Sequence, residues 1–164
     1  MNEELRDQFR SVARAVYLVA FLLVVGPLLD LAAAVWPLHP TAVAWRFAAA
    51  GLLSKALLVP ILGSLAAIVA ALVLAHRRFL RVVAYTNAGI AILLIATTTL
   101  FVLDTIQLRG GIVLEARGAY DAAALRALVN LVLAGVVLGA LGVSGFKVSR
   151  RTEQTQPADP PLVR

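Results

Sequence analysis

The chain has 164 residues, of which 61% are hydrophobic and 15% charged, against roughly 45–50% and about 25% in an average globular protein. The mean hydropathy is +0.90, and 15 basic and 9 acidic side chains are too few to cover so much apolar surface in water. These values exclude an ordinary soluble domain and indicate an integral membrane protein whose first partner is the lipid bilayer.

The cysteine content and the charge exclude several functions. Because the chain has no cysteine, it cannot form disulfides, iron–sulfur clusters, thiolate zinc sites or a dithiol redox centre. The formal net charge is +6, but the basic residues lie between apolar segments rather than in one run. We therefore expect them to set membrane topology, and we expect no nucleic-acid partner.

Four segments are long and apolar enough to cross a membrane, which takes about 20 residues per helix. They lack the alternation of a barrel strand, so we expect helices. Charged or aromatic residues border each segment, as is typical of anchors at the membrane surface. The sequence thus predicts an all-α integral membrane protein, a four-transmembrane-helix bundle within residues 15–146 with spans at about 15–36, 55–75, 82–108 and 125–146.

Two alternatives concern the first span and the chain as a whole. A cleaved signal peptide would have an apolar region of about 7–15 residues, and the first span is longer, so we expect it to be retained. The similarity of the residues before Asp30 and Asp104 suggests a tandem duplication, but short apolar stretches of this kind recur by chance in membrane proteins. We therefore treat the four spans as independent.

The distribution of basic residues predicts the orientation. Ten lie in the N-terminal segment 1–14, the loop 76–81 and the tail, whereas five lie toward the other side. Because Lys and Arg accumulate in cytoplasmic flanks, both termini are predicted to be cytoplasmic, in a multi-pass protein of the cell inner membrane.

The segments outside the spans differ in character. Residues 37–54 are too apolar for a solvated loop, so we expect a short interfacial helix or an outward extension of the second span. Residues 109–124 contain glycine and charges of both signs and indicate a linker. Residues 147–164 have no apolar face and contain three prolines, which predicts a disordered cytoplasmic tail.

Small residues in the fourth span indicate close helix packing. Gly135 and Gly139 form a GxxxG pair, and Gly142 and Gly145 follow. Such residues let a neighbouring backbone approach closely. We expect packing within one bundle, and the alternative is contact with a second copy or a larger membrane complex.

The polar residues within the predicted spans are the candidate site. Five of them are predicted to collect in the outer half of the membrane: Asp30, Lys55, Asp104, Arg126 and Asn130. A carboxylate in a spanning helix is costly, so at least one aspartate is predicted to pair with Lys55 or Arg126. The cluster is interpreted as a structural tether, with a site for a cation, proton or small polar ligand and simple contact with interfacial water as the alternatives.

The remaining signals predict no catalytic chemistry. His39 and His76 fall at opposite membrane surfaces, about 30 Å apart, so they cannot share a haem or a metal. The sequence has no metal-binding spacing, nucleophile–base pair or phosphate loop, so we expect no metal, no cofactor and no enzyme activity. The first hypothesis is an accessory or structural subunit acting through helix packing. The second is a small transporter or ligand-binding protein using Asp30 and Asp104, for which the inner half offers little beyond Asn87.

Overall fold

The computed structural model describes the backbone of residues 3–74 and 76–154 and the side chains of residues 12–74 and 76–148. The regular structure of this part of the chain is entirely α-helical, which confirms the predicted fold class at that level. The helices are α1 (Glu3–Ala34), α2 (Val43–Ala56), α3 (Leu58–Val73), α4 (Arg77–Arg109) and α5 (Leu114–Gln154).

Three of these helices, α1, α4 and α5, are long and apolar enough to cross a membrane. Helices α2 and α3 together make a fourth such segment if they are counted as one bent unit, with 43° between them. The predicted second span therefore begins inside α2, and α2 occupies much of the segment that was predicted to lie at the interface.

Pro60 explains the bend between α2 and α3. A proline has no backbone N–H, and its ring clashes with the carbonyl of the fourth residue before it, here Ala56. The helical hydrogen bonds resume at once, since the Ile61 N–H donates to the carbonyl of Leu57 at 3.1 Å. Pro27, by contrast, lies inside α1 without dividing it into two helices.

The helices extend beyond the predicted spans. Only residues 110–113 separate α4 from α5, so most of the predicted linker 109–124 is helical. Helix α5 also continues into the predicted disordered tail as far as Gln154, and residues 155–164 lie outside the described residues. Hydropathy marks the apolar part of a helix, whereas alanine, leucine, glutamate and arginine continue the helix past that part. The first proline of the tail, Pro157, comes after the described end.

The core lies mainly between α4 and α5, which run antiparallel. Their buried residues recur three or four positions apart, with one gap of seven between Leu94 and Phe101, which is close to the spacing of a left-handed coiled-coil seam. We call these two stripes the seam. On α4 the stripe contains Leu80, Ala84, Asn87, Ala91, Leu94, Phe101 and Asp104, and on α5 it contains Ala124, Ala127, Leu131, Ala134, Leu138, Gly142 and Gly145.

Helix α1 lies at the periphery and packs mainly on α3. Gly63 permits this approach, because a Cβ atom there would lie 3.0 Å from the carbonyl oxygen of Ala20 and 2.9 Å from a methyl group of Val24. Only 6% of the most apolar stretch of α1 is buried, compared with 28% for α5. One face of α1 is therefore left uncovered.

Candidate functional site

An ion pair between α2 and α4 lies at one end of the seam. The Nε of Arg46 donates to Oδ2 of Asp104 at 2.9 Å, and Nη2 donates to Oδ1 at 2.6 Å. The Asp104 side chain is 3% exposed and that of Arg46 is 30% exposed. Nη1 of Arg46 also donates to the carbonyl of Pro40 at 3.1 Å. This two-point geometry holds the carboxylate in one orientation.

The identity of this cation corrects the sequence analysis, which predicted Lys55 or Arg126 as the partner. Arg46 lies near the start of α2, beside the end of α4 that carries Asp104. Lys55 lies nine residues later on the same helix and therefore farther from Asp104. The signal that could have identified Arg46 is its position between Trp45 and Phe47 in an apolar segment, where an arginine needs a buried or interfacial acceptor.

An aromatic stack supports the ion pair. The ring of Phe47 stacks on Phe101 of α4 with centroids 5.0 Å apart and on Tyr120 of α5 at 5.1 Å. The hydroxyl of Tyr120 donates to the carbonyl of Thr105 at 3.0 Å. The stack joins α2, α4 and α5 at the same end of the molecule as Asp104, and sequence reasoning did not predict it.

A cavity of about 280 Å³ lies beside the ion pair and is lined mostly by apolar residues of α1, α2 and α4. Its charged groups, Arg46 and Asp104, are bonded to each other. Thr97 also lines it, but its hydroxyl donates to the carbonyl of Leu93 at 2.9 Å. The cavity thus contains polar groups whose hydrogen bonds are already made within the protein.

The structure does not bring the other charged candidates to this pair. Asp30 is exposed on α1 and Arg126 is exposed on α5, and neither makes an ion pair or hydrogen bond with the described residues. Lys55 and Asn130 instead line a separate cavity of about 290 Å³ between α2, α3 and α5. The five candidates are therefore divided among several places rather than gathered into one site.

Four glycines of α5 face α4, but at different distances: Gly135, Gly139, Gly142 and Gly145. A Cβ atom added at Gly135 or Gly139 would make ordinary contact, 3.9 Å from Leu94 and 3.8 Å from Ala91. One added at Gly142 would lie 3.1 Å from the backbone nitrogen of Ala88, which is a tight contact. Gly142 and Gly145 are the two glycines that lie on the buried stripe itself.

Two further observations concern metal binding and similarity to known proteins. Within the described ranges, no three His, Cys, Asp or Glu side chains are grouped so that they could hold a metal ion. The chain matches no known protein family, no curated protein and no solved structure.

Proposed function

We propose that the chain is a multi-pass protein of the cell inner membrane with four spans, in which α2 and α3 form one bent span and both termini are cytoplasmic. The membrane location is supported by the apolar side chains that the long helices expose. Large apolar side chains such as Leu29, Ile92 and Val136 are more than 60% exposed, a surface that suits lipid rather than water. The ten-to-five distribution of basic residues supports the orientation.

We further propose that the protein is a non-enzymatic accessory or structural subunit that acts through helix packing. The observation that carries this proposal is the position of Asp30. It lies on α1, the helix least covered by the rest of the chain, directly after the exposed Leu28 and Leu29. A carboxylate on a lipid-facing helix costs up to about 3 kcal/mol at mid-membrane and less toward the surface, so a partner that supplies a cation or hydrogen-bond donor would stabilise it.

The Arg46–Asp104 pair agrees with a structural role. A transport site needs a carboxylate that can exchange partners or protons. Asp104 is instead held at two points by a cation from another helix of the same chain. Its role in this proposal is to fix α2 against α4.

A cross-linking experiment tests the subunit proposal. A photoreactive amino acid is placed at Leu29, beside Asp30, or at Val136 on α5, since both residues are 64% exposed. We expect a defined protein adduct from position 29 in intact membranes and none from position 136. Lipid adducts alone from both positions would contradict the proposal.

Topology is tested separately with reporter fusions. A fusion after Arg151 and one after Gly111 should report opposite compartments, with the first in the cytoplasm. A periplasmic signal at Arg151 would contradict the proposed orientation, and recovery of the protein in the soluble fraction would contradict membrane insertion.

A further inference from the structure

A buried amide lies on the seam far from the Arg46–Asp104 pair. Asn87 of α4 is 1% exposed. Its Oδ1 accepts a hydrogen bond from the hydroxyl of Ser64 on α3 at 3.1 Å, whereas its Nδ2 has no partner among the described residues. Buried donors without a partner are rare in folded proteins, so each requires an explanation.

Asn87 forms part of the wall of a cavity of about 360 Å³ between α1, α3 and α4, which we call the Asn87 cavity. Most of its wall is apolar, and three aromatic side chains contribute: Tyr17, Phe21 and Phe79. The Tyr17 hydroxyl is already hydrogen-bonded to Nδ1 of His76 at 2.9 Å. Phe21 and Val82 line the cavity and are more than half exposed, so it opens to the side of the helices.

These features restrict the ligand. No charged residue lines the cavity within the described chain, so the ligand is uncharged. The free donor requires an acceptor oxygen, and the aromatic side chains suit a flat ring. A volume of about 360 Å³ is near the lower end of the range for ligand pockets, so it suits a head group and not a whole lipid.

The position of Asn87 along α4 restricts the ligand further. It lies six residues after Arg81, the last basic residue of the cytoplasmic loop 76–81, which is about 9 Å along the helix axis. In a hydrocarbon core about 30 Å thick, that is inside the inner half, below the level of the lipid head groups. Ester carbonyls of phospholipids lie at the interface, so they would not reach this depth, whereas a ring ketone that diffuses within the hydrocarbon would.

We propose that the Asn87 cavity binds an uncharged, lipid-soluble ring ketone of the quinone class. A shift of the lining side chains uncovers Nδ2 of Asn87, which is enclosed in the structure, and a ring carbonyl then accepts a hydrogen bond from it. The choice of a ring ketone over a phospholipid ester, and the supply of this ligand from the membrane interior, rest on the proposed membrane location. Binding itself does not, because it can be measured on the protein in detergent whether or not the topology experiment succeeds.

Two probes of matched shape test the proposal on the unmodified protein. Menadione is a methylated naphthoquinone, and 2-methylnaphthalene has the same fused rings without the carbonyl oxygens. Since one hydrogen bond contributes about 0.5–1.5 kcal/mol, we expect calorimetric titration in detergent to give a Kd about three- to tenfold lower for menadione. Equal affinities, or no binding of either probe, would overturn the proposal.

Two asparagine variants then locate the interaction. Asn87→Leu removes the donor and should raise the Kd of menadione to that of 2-methylnaphthalene, whose own Kd stays unchanged. Asn130→Leu is the matched control, because Asn130 lines a different cavity with Lys55, and it should leave both values unchanged. An equal loss in both variants, or none in Asn87→Leu, would overturn the assignment. If Asn87→Leu fails to fold, the two-probe comparison on the unmodified protein still decides.

Discussion

Asp104 and Asn87 both lie on the buried stripe of α4, seventeen residues apart, yet their surroundings differ. Asp104 carries a charge, and two hydrogen bonds from Arg46 engage both of its carboxylate oxygens. Asn87 is neutral, and only one end of its amide has a partner. The comparison teaches that a buried polar residue in such a seam has two different uses. A fully bonded group holds helices together, and a partly bonded one is available for recognition.

The largest effect is expected when Asp104 loses its cation. Arg46→Met keeps most of the side-chain length but leaves a buried carboxylate without a partner, and losses of this kind are strongly destabilising. We expect the Tm in detergent to fall by about 10 °C. Arg126→Met is the control, because Arg126 is exposed and makes no ion pair with the described residues, and its Tm should stay unchanged.

The double variant Arg46→Met with Asp104→Leu sharpens this result. It removes both charges, so much of the lost Tm should return. If the Tm losses of the two single variants simply add in the double variant, the two side chains do not act as a pair.

The next effect is expected at the glycines of the seam. A Cβ atom at Gly145 would lie 2.8 Å from Cβ of Ala84, and one at Gly142 would meet backbone atoms. Gly142→Ala and Gly145→Ala should each lower the free energy of unfolding by about 1–3 kcal/mol, measured by denaturation in mixed micelles. Gly139→Ala has room at 3.8 Å and should be neutral or slightly stabilising. Equal tolerance at all three positions would show that this part of α5 is loosely packed.

A smaller effect is expected at the aromatic stack. Tyr120→Phe keeps the ring against Phe47 but removes the hydrogen bond to Thr105, so the free energy of unfolding should fall by about 1 kcal/mol. Tyr85→Phe is the comparison, because Tyr85 is exposed and its ring contact with Phe146 is kept. An equal fall in the free energy of unfolding of both variants would show that the Tyr120 hydroxyl makes no specific contribution to stability.

The smallest effect is expected at Asn87 itself. Asn87→Leu gives up the bond from Ser64 but also removes an unpartnered donor from the interior, so the two changes nearly cancel. The free energy of unfolding should stay within about 1 kcal/mol of the parent value. A fall as large as that of Arg46→Met would mean that both amide ends are bonded, and Asn87 would then resemble Asp104.

The sequence predicts the helices of this protein better than the contacts between them. Uninterrupted apolar runs identify α1, α4 and α5, because a run of this length without the alternation of a strand favours a helix. They do not identify helix ends, which is why α5 was predicted to begin at about residue 125 and begins at Leu114. Hydropathy detects only the apolar part of each helix, and it misses the ends because they are polar.

The partner of Asp104 depends on tertiary structure. Arg46 and Asp104 are 58 residues apart, and they meet only because α2 is a helix that packs against α4. The glycine pattern of α5 indicates close helix packing but does not name the neighbouring helix, and sequence does not distinguish the tight contact at Gly142 from the ordinary one at Gly139. Asn87 was visible as an isolated polar residue, but its free donor and its cavity required side-chain positions.

The length of α5 has a mechanical consequence. Its 41 residues make a continuous helix about 60 Å long, roughly twice the thickness of a hydrocarbon core. Contact with α4 prevents α5 from rotating about its own axis, so its far end is held at a defined angle. Each added residue turns a helix by about 100°, so a protein fused in helical continuity after Gln154 would point in a direction chosen by the number of residues inserted. Such a fusion would give this small protein a rigid marker of known orientation for electron cryo-microscopy.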